Sequence, residues 1–190
     1  MSRDNFEWLN VPVEEAARRL LGCELEREIA GETLRVRIVE TEAYDQADEA
    51  SHTYRGPTVR NAAMFRGAGH AYVYFIHGIH HCLNVVTGVE GYGSGVLIRA
   101  AEPVTGLELM AERRGKGGIE LTNGPGKICQ ALDIDLTLSG HSLGRPPLRL
   151  IKRPPLPADQ VIATRRVGIS KAVNELRRFY IAGNPFVSKK

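Results

Sequence analysis

The stretch from Leu34 to Tyr44 constrains this chain more than any other. Leu34, Val36 and Ile38 share one parity, and successive side chains on a strand point to opposite faces. The same parity runs on through Glu40, Glu42 and Tyr44. Read as one unbroken strand, an apolar core face ends in two carboxylates and a phenol without changing sides. Burying a carboxylate is costly unless it is paired or hydrogen-bonded. The pattern therefore predicts a pocket floor, where a carboxylate is held half-dry and given work. The plainer alternative is a strand that emerges into water with both glutamates solvated.

At 190 residues, 43% hydrophobic and 25% charged, the chain suits one well-buried domain spanning 1–190. No apolar run approaches membrane-spanning length. Met1-Ser2-Arg3-Asp4-Asn5 lacks the basic-then-apolar opening of a secretory signal. A cytoplasmic protein with no membrane partner is expected. Cys23, Cys82 and Cys129 are widely spaced with no Cys-x-x-Cys pair, which predicts buried free thiols. The net charge of +3 permits a polyanion partner without demanding one. Cations load the C-terminal half at Arg113-Arg114, Arg145, Arg149, Lys152-Arg153, Arg165-Arg166, Lys171, Arg177-Arg178 and Lys189-Lys190. Such runs suit a solvated face or a phosphate-facing surface.

Val13 to Leu21 reads as an amphipathic helix between Pro12 and Gly22. Cys23 to Ile29 alternates as a strand, and Gly31-Glu32 turns into the next one. Asp45 to Arg66 is long and irregular, the mark of a functional loop. Two aromatic and β-branched runs flank His77-Gly78, which predicts a hairpin with a two-residue connection and His77 at its tip. Gly93 to Glu102 is a further strand, and Pro103 reads as a helix start. Asn123-Gly124-Pro125-Gly126 opens a short helix over Lys127 to Leu132. The Pro-rich stretch 146–157 reads as a crossing to last strands at Val161-Ile162 and Phe179-Tyr180-Ile181. Two or three short helices and about six to eight strands, clustered into hairpins, predict an α+β domain with a curved, mostly antiparallel sheet flanked by helices.

Glu42 needs partners, and the candidates are His52 and Arg99, the lone cation in Val-Leu-Ile-Arg-Ala-Ala. A plain buried ion pair accounts for such an arginine. The functional reading has Arg99 help keep Glu42 ionised, ready to act as a general base on water. Tyr44, Tyr72 and Tyr74 serve either as core filler or as stacking faces for a flat heterocycle, with cation–π attraction if that ring is charged. In His77-x-x-His80-His81-Cys82, alternation throws His80 and His81 to opposite faces, so no metal is expected. Gly124-Pro125-Gly126-Lys127 suits an anion cradle or a generic turn.

Ile38-Val39-Glu40-Thr41-Glu42-Ala43-Tyr44, Asp48-Glu49-Ala50-Ser51-His52, Arg60-Asn61-x-x-Met64-Phe65, Leu97-Ile98-Arg99-Ala100-x-Glu102-Pro103, Gly124-Pro125-Gly126-Lys127-Ile128-Cys129-Gln130-Ala131-Leu132 and Arg166-Val167-Gly168 follow one another in order. With these motifs the sequence resembles the alkyladenine (3-methyladenine) DNA glycosylase family over nearly its whole length. The resemblance implies a hairpin that protrudes into the DNA minor groove, double-stranded DNA with damaged purines as partner, a monomer, and no cofactor. By motif position Glu42 corresponds to the residue that deprotonates the attacking water, and Arg99 and the Val167 carbonyl to groups that help hold it. Tyr44 and Tyr74 correspond to stacking walls of the base pocket, His52 to its hydrogen-bonding group, and Asn84 to a screen on incoming bases. His77, Tyr72, Met64, Thr58 and Lys127 correspond to the DNA wedge and backbone contacts. One departure stands out: the family usually has tyrosine at the hairpin tip, where this chain has His77. The rival readings are a non-catalytic nucleic-acid-binding module and a metal-dependent hydrolase.

Overall fold

The computed structural model describes residues 6–188. The N-terminal reading on residues 1–5 and the Lys189-Lys190 pair lie outside the described residues.

Helix α1 (Val13–Leu20) follows Pro12, with Glu14 and Glu15 in its first turn and Arg18 and Arg19 in its last. That distribution complements the helix dipole. Val13, Ala16, Ala17 and Leu20 form its buried stripe, the spacing of one helical face. It packs against the long central strand of the sheet.

The sheet contains β1 (Glu24–Ile29), β2 (Glu32–Asp45), β3 (Ala71–Ile76), β4 (His80–Val86), β5 (Ser94–Thr105), β6 (Gly144–Arg145), β7 (Leu148–Ile151), β8 (Val161–Thr164) and β9 (Arg178–Ile181). The main path runs β3-β4-β5-β2-β1-β7-β6, and every pairing is antiparallel. Strand β2 is the trunk. One of its edges follows β5 from Arg35 to Asp45. The other carries β1 as far as Arg37 and then β9 at Glu40, Thr41 and Glu42; β8 lies outside β9. The architecture is the expected α+β domain built on a curved antiparallel sheet.

The nine strands among the described residues exceed the expected six to eight. The surplus includes β6, just before the stretch read as a Pro-rich crossing, and β7, inside it. Proline cannot donate to a ladder, and Pro146-Pro147 form the turn between the two short strands rather than joining either. Pro103 is not a helix start. It lies within β5, opposite Val36 at a register shift, a place where a missing donor is tolerated. Helix α2 begins later, at Leu107, and runs to Arg114. Helix α3 (Pro125–Ala131) starts two residues before Lys127, with Pro125 in its first turn, where a proline's absent N–H costs nothing. The hairpin between β3 and β4 turns at His77-Gly78, both with positive φ. Pairing resumes at Ile76–His80, so the connection includes Ile79 and is one residue longer than expected.

The unbroken parity on β2 does not hold. Ile38 faces Ala101, Glu40 faces Ala100 and Thr41 faces Ile98, leaving Val39 and Arg99 without partners across the ladder. Each strand carries one extra residue at this level, and a bulge of that kind switches which parity faces inward. Leu34, Val36 and Ile38 lie in the main core, and so does Ala43. The Thr41 hydroxyl donates to the Ala17 carbonyl of α1 at 3.0 Å. Odd-numbered residues have taken over the helix side. Glu42 and Tyr44 therefore face away from the main core, toward an open cleft. On β5 the same exchange keeps Ile98 and Val96 in the core and turns Leu97 and Arg99 to the cleft.

Candidate active site

The bulge decides where the carboxylates go. Glu42 is fully buried at the base of a cleft of about 690 Å³. Its Oε1 accepts the Val167 N–H at 2.7 Å. Its Oε2 accepts the Tyr44 hydroxyl at 2.8 Å and Arg99 Nη1 at 3.3 Å. Burial raises the Tyr44 phenol well above its ordinary range, and the adjacent Glu42 charge and hydrogen bond raise it further. Tyr44 thus stays protonated and donates. Arg99 Nη1 also reaches the Val167 carbonyl at 3.4 Å. One residue on the segment between β8 and β9, Val167, is held on both sides, its N–H by the carboxylate and its carbonyl by the guanidinium.

The walls are aromatic. His52 meets Tyr74 edge-on with ring centroids 4.6 Å apart, and Tyr72 stacks on Tyr74 at 5.6 Å. His52 Nδ1 shares a hydrogen bond of 3.0 Å with the Tyr72 hydroxyl. Desolvation against these rings, then the nearby Arg60 charge, lowers the His52 pKa and favours a neutral imidazole. Asn84 lines the cleft and its Nδ2 donates to the Tyr72 carbonyl at 3.2 Å. His77, exposed at the hairpin tip, and Lys127, bonded to Asn123 at 2.7 Å, stand on the rim.

Of the expected DNA-contact residues, Tyr72 and Met64 border the cleft and Thr58 does not. Tyr72 and Met64 are 1% and 2% exposed and pack with Ala63 and Val86. They form buried parts of the cleft wall. The Thr58 N–H and hydroxyl bond Asn61, whose Nδ2 donates to the His52 carbonyl at 2.8 Å. Thr58 thereby steadies the loop that carries His52. Among the described residues no three His, Cys, Asp or Glu side chains converge as metal ligands would, and all three cysteines are buried and free.

A second set of residues fixes the cleft from behind, and nothing in the sequence announces how they pair. Arg166 is 6% exposed, grips both oxygens of Asp48, and donates to the Ala43 carbonyl at 3.0 Å. Its guanidinium lies 4.6 Å from the Tyr44 ring centre, within cation–π range. Arg177 bonds Glu14 at 2.7 Å and Glu175 at 3.1 Å, and approaches Asp45 and Asp48 at 3.5 Å each. These pairs tie the segment bearing Val167 to β2 and to the loop that follows it. Burial alone would raise the Asp48 carboxyl, but Arg166 and the Ala50 N–H hold it below the usual carboxylate range.

A family model described as methylpurine-DNA glycosylase matches residues 7–185. A Methanoculleus marisnigri protein named "Putative 3-methyladenine DNA glycosylase" is 50% identical over 179 residues, 92% of each chain. A protein of the same name from Carboxydothermus hydrogenoformans is 49% identical over 176 residues, again 92% of each. One from Chlorobaculum tepidum is 41% identical across all of this chain and 92% of its own length. No helix among the described residues is long and apolar enough to cross a membrane.

Removing one partner of a buried ion pair strands the other, at a cost of about 3–5 kcal/mol. Asp48→Asn is expected to lower unfolding free energy by that order at neutral pH. Because the folded Asp48 carboxyl sits below its unfolded value, its stabilisation is fully present above about pH 4 and fades as acid protonates the folded group. Urea unfolding of both proteins between about pH 3 and 7 should show the gap closing toward the acid end; a constant gap would deny the pair its role.

Proposed function

The chain belongs to the methylpurine-DNA glycosylase family, hydrolases of N-glycosyl bonds, and on that premise we propose that it excises damaged purines, alkylated or deaminated, from duplex DNA with a water activated by Glu42. The reading treats residues 1–190 as one glycosylase domain acting as a monomer without a cofactor. The observation that carries it is the Glu42 carboxylate. A carboxylate offers about four lone-pair directions, and the Val167 N–H, Tyr44 hydroxyl and Arg99 Nη1 occupy three. The fourth is the direction this reading gives to a water at the base of the cleft, which Glu42 borders.

The chemistry follows from this arrangement. A base inside a duplex cannot be reached, so it must be flipped, which is cheapest where damage weakens pairing. The cleft between Tyr44 and the His52–Tyr74 pair suits a flat purine. Loss of the base leaves a cation-like sugar. A negative group beside C1′ stabilises that charge and takes the proton from the incoming water. Alkylated purines already carry positive charge and leave without much acid assistance. Neutral His52 suits a hydrogen-bonding role better than proton donation. Nucleophilic amine chemistry would need a lysine free at the sugar. Two lysines border the cleft, neither on a strand: Lys127 is bound to Asn123, and Lys171 faces Glu49 at 3.9 Å, which supports a monofunctional hydrolase with no lyase step.

Glu42→Gln should cut single-turnover release of methylated purines from dimethyl-sulfate-treated duplex by about 10²–10⁴-fold while binding to an abasic-site analogue persists. An unchanged rate would favour the non-catalytic binding module. Borohydride should trap no covalent protein–DNA adduct; a trapped adduct would establish the lyase step that this reading denies.

At the hairpin tip, imidazole is planar but smaller than phenol. We expect His77 to be a weaker wedge than a tyrosine. His77→Tyr should tighten binding to the abasic analogue, and equal affinities would remove the idea.

A further inference from the structure

Behind Arg99 stands a second carboxylate that the reaction as proposed leaves without a task. Glu40 is fully buried. Arg178 Nε donates to its Oε1 at 2.6 Å, and Ser188, near the C-terminal end of the described residues, gives Oε2 its N–H at 2.7 Å and Oε1 its hydroxyl at 3.0 Å. Arg99 Nε lies 3.4 Å from Oε1, is buried, and has no hydrogen-bond partner of its own among the described residues. Arg99 therefore hangs between two carboxylates, with Glu40 at Nε and Glu42 at Nη1.

We propose that Glu40 is a positioning residue for the glycosylase reaction, fixing Arg99 so that the guanidinium can hold both Glu42 and the Val167 carbonyl. The inference rests on the reading of Glu42 as the base. Two carboxylates and two guanidiniums meet out of water here, and a buried charge without its counter-charge is strongly unfavourable. Neutralising Glu40 leaves Glu42 as the one charged partner of Arg99 among the described residues. Arg99 then slides along its length toward Glu42, and the lone pair reserved for water is the one at risk. The paired bulges are what make the contact available: Arg99 is the extra residue on β5, beside the Glu40–Ala100 pair that lies between two register shifts. The anchor on the far side is a tail, not a strand. Val187 is 7% exposed, and its burial holds the adjacent Ser188 against Glu40.

Glu40 does not line the cleft, so its loss should act on the chemical step and spare binding. Glu40→Gln should slow single-turnover release of methylated purines by about 10- to 100-fold, the scale of a misplaced catalytic group, while affinity for the abasic-site analogue changes by less than about twofold. Ser188→Pro removes the hydroxyl and the N–H without touching a strand, and its rate should fall between wild type and Glu40→Gln. A folded Glu40→Gln protein with the wild-type rate would overturn the proposal. If that variant does not fold, a wild-type rate in Ser188→Pro would do so. Glu42→Gln assayed in parallel separates the two claims: if it retains turnover the base assignment fails, and if it alone is dead only the positioning role fails.

Discussion

A carboxylate with no exposed surface must be answered by donors, and the site is arranged around that requirement. Glu42 is answered by one main-chain N–H, one phenol and one guanidinium. Each donor comes from a different part of the chain: β2 supplies the phenol, β5 the guanidinium, and the segment after β8 the peptide. Bringing them together needs the sheet to fork at β2, with β5 on one edge and β9 on the other. The fold's least regular feature, the double bulge at Val39 and Arg99, lies at that fork. Bulges re-aim side chains next to active sites, and here the re-aiming takes two acids and an arginine out of the core's alternation.

Much of this was legible in the residues. The strand, the Glu42–Arg99 partnership and the hairpin at His77-Gly78 could all be read from composition and spacing. The parity argument reached the right residues through a wrong geometry. It placed Glu42 on the same face as Leu34, Val36 and Ile38, whereas the bulge puts Glu42 on the opposite face and gives the core to Thr41 and Ala43. Alternation counts residues, and an inserted residue on each of two strands leaves no trace in the count. Pro103 misled for a related reason. A proline signals a helix start only where the chain is not already at a register shift.

The supporting ion pairs were illegible on other grounds. Asp48 and Arg166 are 118 positions apart, and Glu40 and Arg178 are 138 apart. Nothing local distinguishes Arg166 from Arg165 beside it, yet one is buried under Tyr44 and the other is exposed. Tyr72 shows the converse. The sequence groups it with Tyr44 and Tyr74 as core filler or stacking face; all three border the cleft, but Tyr72 is 1% exposed and Tyr74 only half-buried. What distinguishes such residues is long-range packing, which composition does not encode.

In the mechanism we propose, the buried Glu42 carboxylate is aimed at a water next to the sugar of an extruded nucleotide. The decisive test is a crystal structure of the protein on duplex DNA containing a cationic pyrrolidine in place of the damaged nucleotide. An ordered water is expected about 2.6–3.2 Å from a Glu42 oxygen, on the line to the atom that replaces C1′. A pyrrolidine lodged in the cleft with Glu42 turned away, or with no solvent between the carboxylate and the sugar position, would contradict it.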